Sequence, residues 1–118
     1  MTRDAFLDFC RNIPGASVDQ PFDGDFETFV ARHTLNRKWF ALLMKHDNQD
    51  IVNLKCDPQE ADLLRKLFKG VIPAYHMNKT HWNTVILNSD LPDEEIKRMT
   101  LNSFQLTDKQ KNTAPEKD

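Results

Sequence analysis

Residues 38–70 read KWFALLMKHDNQDIVNLKCDPQEADLLRKLFKG. The first part, 38–45, is almost wholly apolar, as expected of a central strand covered on both faces. Asp47-Asn48-Gln49-Asp50 is a turn. Residues 51–55 make a short strand in which Ile51 and Asn53 oppose Val52 and Leu54. Asp57 then caps a helix, Pro58 takes its first position, and Glu60 completes a capping-box-like pattern. Ala61, Leu64, Leu67 and Phe68 form its apolar stripe. Lys69 suits its C-terminal end, and Gly70 is expected as a left-handed cap. A tight hairpin followed by a well-marked helix is the grammar of an antiparallel sheet, not of repeated βαβ units.

Working outward, residues 26–32 alternate as another strand, with Thr28 and Val30 facing one way and Phe29 and Ala31 the other. Leu35-Asn36-Arg37 is a turn. Residues 16–25 look irregular. Upstream, 2–11 is a helix: Thr2 caps it, and Phe6, Phe9, Cys10 and Ile13 follow helical spacing until Pro14-Gly15 stops it. Downstream, 71–75 is a short edge strand interrupted by Pro73, and 82–88 is a strand. Pro92 with Asp93, Glu94 and Glu95 opens a last helix carrying Ile96, Met99, Ser103 and Leu106 on one side, widened by Leu101 and Phe104. The expected order is α-β-β-β-α-β-β-α: an α+β domain over 1–107, its antiparallel sheet packed by helices on one face. The tail, 108–118, DKQKNTAPEKD, is expected to be disordered.

At 118 residues with 39% apolar and 29% charged side chains, the composition is that of one globular domain. No apolar run approaches the roughly 20 residues that span a bilayer. The opening MTRDAFLDFC has no signal-peptide pattern. Cys10 and Cys56 are far apart, as two buried free thiols in a reducing cytoplasm would be. A cytoplasmic protein without membrane attachment, and a monomer, is the expectation.

Net charge is −2, but the charge is segregated. Residues 28–45 contain no acid and carry Arg32, Arg37, Lys38 and Lys45; residues 63–89 contain no acid and carry Arg65, Lys66, Lys69 and Lys79. Should the two segments meet, they make a basic face on an acidic protein. The second segment includes GVIPAYHMNKTHWNTVIL, 70–87, which concentrates Tyr75, His76, Lys79, His81 and Trp82 before an apolar strand.

Four features together resemble the MmcQ/YjbR family of small bacterial proteins, over about residues 3–107. They are Lys38-x-Phe40-Ala41, Leu54-Lys55-Cys56-Asp57-Pro58, Tyr75-His76-Met77-Asn78-Lys79 leading to His81-Trp82, and a final helix from Leu91-Pro92-Asp93 to Ser103-Phe104. The resemblance implies a frataxin-like (CyaY-like) two-layer sandwich, also described as a double wing. Family members are usually labelled DNA-binding by structural analogy, and one branch is associated with mitomycin gene clusters. Where the family usually places glycine before the lysine matching Lys38, this chain has Arg37. Frataxins hold iron on an acidic first helix; here that helix carries only Asp4 and Asp8, offset by Arg3 and Arg11, so iron handling is not implied.

No nucleophile elbow, glycine-rich phosphate loop or metal-ligand spacing occurs. His76 and His81 are five apart, a spacing that shares no face of a helix or strand. Cys56 beside Asp57 has the wrong local charge for an activated thiolate. Hence no catalytic residue, no metal ligand and no cofactor is expected. The leading reading is a non-enzymatic DNA-binding protein. Arg37, Lys38, Lys45, Lys55 and Lys79 would contact phosphates, with His81 and Trp82 at the contact edge. The first alternative is a small-molecule module for a flat aromatic ligand, its pocket between the final helix and the sheet and lined by Tyr75, Trp82 and Phe104. The second is a protein-interaction domain pairing along the edge near Pro73. For Trp82 and Tyr75, plain packing competes with both roles.

Overall fold

The computed structural model describes residues 1–108. The elements run α1 (Arg3–Arg11), β1 (Ala16–Asp19), β2 (Phe29–His33), β3 (Trp39–His46), β4 (Gln49–Lys55), α2 (Pro58–Leu67), β5 (Val71–Pro73), β6 (Trp82–Ile86) and α3 (Asp93–Thr107). Six strands form one antiparallel sheet in the order β1-β2-β3-β4-β6-β5. The α+β class and antiparallel sheet are as expected, with one strand more. Residues 16–19, read as irregular, pair with β2 from Ala16↔His33 to Asp19↔Val30. The tail assigned to 108–118 lies outside the described residues, apart from Asp108.

The caps act as the sequence indicates. Thr2 Oγ1 accepts from the Ala5 amide at 3.1 Å and Asp57 from the Gln59 amide at 3.2 Å. Each satisfies a helix-terminal donor that has no partner within its helix.

All three helices cover one sheet face. The main core joins Phe6, Leu7 and Cys10 of α1, Ala61 and Leu64 of α2, and Ile96 and Met99 of α3 to alternate strand residues: Ala31, Ala41, Leu43, Val52, Leu54, Val71 and Val85. The intervening residues Val30, Leu42, Ile51, Asn53 and Thr84 are also buried, though none of the described helices lies on their face. Their cover comes from irregular segments: Phe22 meets Trp39 edge-on at 6.1 Å, and the 74–81 loop crosses Asn53 and Thr84.

Three details differ from the sequence reading. Leu67 is 61% exposed, so the α2 stripe is narrower. Leu101 is exposed while Thr100 and Thr107 are buried, which rotates the apolar side of α3. Gly70 is not in a left-handed conformation; helix α2 ends with extended Phe68 as its C-cap. What fixes glycine at 70 is space, because a Cβ there would stand 2.0 Å from Ser89 Oγ.

A register shift between β2 and β3, from Ala31↔Ala41 to Arg32↔Trp39, leaves Phe40 unpaired. This bulge places Phe40 against Phe104 of α3, edge-on at 5.0 Å. Ser103 repairs the interrupted ladder: its hydroxyl accepts from the Lys55 amide at 2.9 Å and donates to the Phe40 carbonyl at 2.6 Å.

Candidate functional site

The helix-free face of the sheet carries a groove of about 260 Å³. Ile51, Ile72 and Ile86 supply apolar surface from β4, β5 and β6; His46, Tyr75 and Lys79 supply the polar and aromatic wall. The site therefore draws on β3, β4, both edge-side strands and the 74–81 loop.

That loop is pinned from both sides of the sheet. On the groove side, Tyr75 donates its amide to Thr84 Oγ1 at 2.8 Å, and its carbonyl accepts from Asn53 Nδ2 at 2.9 Å. Thr84 in turn donates to Asn53 Oδ1. Both Asn53 and Thr84 are fully buried, and a buried polar side chain is tolerated when its hydrogen bonds are made. On the helix side, Arg65 of α2 donates Nε to Asn83 Oδ1 at 2.6 Å and Nη2 to the carbonyls of Lys79 and Trp82. Asn83 itself donates to the Ala61 carbonyl at 3.3 Å.

Tyr75 so held meets two imidazoles, His46 and His76, each with ring centroids 4.0 Å away. His76 adopts a left-handed backbone, φ 63°, a conformation that costs a residue with a Cβ roughly 1–2 kcal/mol. Strain of that size persists only where surrounding contacts enforce it. Lys79 donates its amine to the Ala74 carbonyl at 2.8 Å. A neutral carbonyl does not neutralise the ammonium, which has two further protons. Asp47 at the rim lies 3.5 Å from His46 Nε2, with its side chain 83% exposed.

The residues assigned to phosphate contact are spread. Arg37 and Lys38 precede β3, and Lys55 ends β4; the pairing Ala41↔Leu54 puts them at the same end of the sheet. His81 joins that end through its carbonyl, which accepts from the Cys56 amide at 2.8 Å. Lys45 is at the other end, seven residues along from Lys38 and roughly 23 Å away on strand geometry, ion-paired with Asp50 at 3.1 Å. Lys55 is only 8% exposed. Elsewhere in the two acid-free segments, Arg32 pairs with Asp19 and Lys66 with Asp62.

The three residues expected to share a pocket beneath the final helix are separated. Phe104 stacks on His33 at 4.0 Å and lines a different cavity, of about 200 Å³, with Pro14, Gly15 and Leu35. Tyr75 is across the sheet. Trp82 is half-buried, paired with Lys55, and lines neither cavity. The physical reason is strand alternation and the bulge: Phe40 turns toward the helices and collects Phe104 and His33, while the 74–81 loop folds over the opposite face. The isoleucines and His46 were missed as site residues because each reads locally as ordinary strand.

Neither cysteine is poised to react. Burial pushes the Cys10 thiol up to about 12; burial, then the charges of Glu60 and Asp57, push Cys56 to about 11. His33 is driven below its ordinary value chiefly by burial, and its Nε2 lies 2.8 Å from Thr107 Oγ1. That hydroxyl donates to the Ser103 carbonyl at 2.8 Å, so His33 is the donor of the pair. No described helix is long and apolar enough to cross a membrane.

Comparison with known proteins places this architecture. A protein from Pseudomonas syringae, solved by crystallography, superposes with a TM-score of 0.82 at 38% identity, over 91% of this chain and 99% of that one. A Deinococcus radiodurans protein superposes at 0.80 with 30% identity, covering 95% and 82% of the two chains. The uncharacterised protein YyaQ of Bacillus subtilis (strain 168) is 34% identical over 117 residues, covering 91% of this chain and 98% of its own. The uncharacterised protein YjbR of Escherichia coli (strain K12) is 34% identical over 105 residues, covering 89% and 86%. The YjbR family description matches residues 11–106, and with these relatives it shows that the chain belongs to the MmcQ/YjbR family.

Proposed function

We propose that the protein is a non-catalytic, cytoplasmic binding module whose ligand is a small molecule held in the groove on the helix-free face of the sheet. One observation carries this reading: the Tyr75 loop is fixed over the groove by buried Asn53 and Thr84. A preformed concavity with an apolar floor and a few placed polar groups is how small-molecule sites are built. Its volume, about 260 Å³, lies just below the usual range of roughly 300–1,000 Å³, which favours a compound smaller than a drug-sized ligand. Saturation-transfer NMR with single-ring compounds tests it. Hits on the wild type that are lost in Ile86→Asp, placed on the groove floor, are expected. Hits unchanged by that substitution, or none at all, would refute the reading.

A second reading is contact with nucleic acid at the end of the sheet bearing Arg37, Lys38 and His81. It is favoured by their placement: β3 and β6 are two strand spacings apart, roughly 10 Å, a distance that one segment of phosphate backbone can bridge. Titration with duplex and single-stranded DNA at roughly 50 and roughly 200 mM salt separates the two readings, because phosphate contacts weaken steeply with salt. Binding that is absent at low salt, or indifferent to salt, would exclude this one.

A further inference from the structure

Among the described residues, the groove lining holds one lysine, Lys79, and its ammonium forms no ion pair with a described carboxylate. Several basic side chains elsewhere meet carboxylates: Arg3 and Lys45 share Asp50, Arg32 has Asp19, Lys66 has Asp62, and Arg98 has Glu60 and Glu95; Arg65 spends its donors on Asn83 and two carbonyls. Lys79 bonds the carbonyl of fully buried Ala74. That bond directs the ammonium along the groove wall and removes one of its three donors. The Asp47 carboxylate at the rim is the groove's own acid, and it lies beside His46, turned to solvent.

The remaining surface sets the rest of the ligand. Ile51, Ile72 and Ile86 offer an apolar floor, and His46 and Tyr75, whose rings pack on one another, form an aromatic wall. A volume of about 260 Å³ has room for an aromatic ring and a short head group. We infer that the ligand class is a small aromatic carboxylate, its ring on the isoleucine floor and its carboxylate on the Lys79 ammonium. This rests on the groove being the binding site and adds the sign of the ligand's charge.

Calorimetric titration with benzoate and with its neutral isostere benzamide tests the inference on the full chain. Benzoate is expected to bind about fivefold tighter, the scale of one partly exposed charge pair. The preference should vanish in Lys79→Met and persist in Lys79→Arg, which keeps charge and donor. Equal affinity for the two probes in the wild type would overturn the inference and leave the groove reading standing. A preference retained in Lys79→Met would overturn it as well, by placing the carboxylate elsewhere. Failure of both probes to bind would overturn it together with the groove reading. Circular dichroism and the melting curve of each variant identify a loss of fold, and Lys79→Arg then decides.

Discussion

The Tyr75 amide donates to Thr84 Oγ1 at 2.8 Å, and through that hydroxyl the groove loop is tied to the centre of the sheet. Thr84 both accepts from Tyr75 and donates to Asn53, so one buried side chain satisfies two partners.

Thr84→Val, nearly the same shape, would leave the Tyr75 amide and Asn53 Oδ1 without that partner. The expected loss is about 1–3 kcal/mol of stability, read from a urea melt. Thr84→Ser, which keeps the hydroxyl, should recover most of it. The Tyr75 ring should also lose its fixed approach to His46, visible as averaged ring resonances. A Val variant as stable as wild type would show that Thr84 does not anchor the loop.

Ser103 makes the corresponding link on the helix face. Ser103→Ala strands the Lys55 amide and the Phe40 carbonyl at the bulge, both in the interior. A loss of about 2–4 kcal/mol is expected, with faster amide exchange at Lys55. Unchanged exchange at that amide would contradict the assigned role.

Arg37 stands at φ 66° with its amide on the His33 carbonyl at 3.1 Å, and there the family resemblance expects glycine. Glycine relieves roughly 1–2 kcal/mol of left-handed strain and returns roughly 0.5–1 kcal/mol of that as chain entropy. Arg37→Gly should therefore be more stable than Arg37→Ala by up to about 1.5 kcal/mol, as both lose the charge but only one loses the strain. Equal melting temperatures would remove the strain argument.

Asp90 accepts from the amides of Lys69 and Gly70, each at 2.8 Å, and these bonds hold its carboxyl below the ordinary 3.8. The side-chain hydroxyl of Thr28, then the Glu27 amide, does the same for Asp25. A depressed carboxylate stabilises the fold above its unfolded value and loses that contribution as pH falls through the folded one. The melting-temperature gap between wild type and Asp90→Asn should be full above about pH 5 and narrow as pH drops below 3.8. A gap constant down to strongly acid pH would refute the linkage.

Legibility in the sequence follows the range of the interactions. Helix α2 announces itself because Asp57-Pro58 is a local signal, and the β3–β4 hairpin because its turn and apolar runs are adjacent. Strand β1 was invisible: Ala16–Asp19 has four residues, two of them polar, too few to show a period. It exists because β2 offers an edge and α1 packs beside it. The groove was invisible for the same reason at longer range, since His46, Ile51, Tyr75 and Ile86 meet only once β3, β4 and β6 are in register. Tyr75 and Lys79 both line the groove, whereas Phe104, grouped with Tyr75 from the sequence, belongs to α3 on the other face of the sheet, because which face the 74–81 loop covers depends on contacts distant in sequence.

Amide chemical-shift mapping with saturating benzoate locates the ligand on the sheet. Shifts concentrated at His46, Ile51, Tyr75, Lys79, Thr84 and Ile86 are expected. Shifts confined to the 35–38 hairpin and His81, or to the cavity beside His33 and Phe104, would contradict the groove reading, as would a spectrum that does not change.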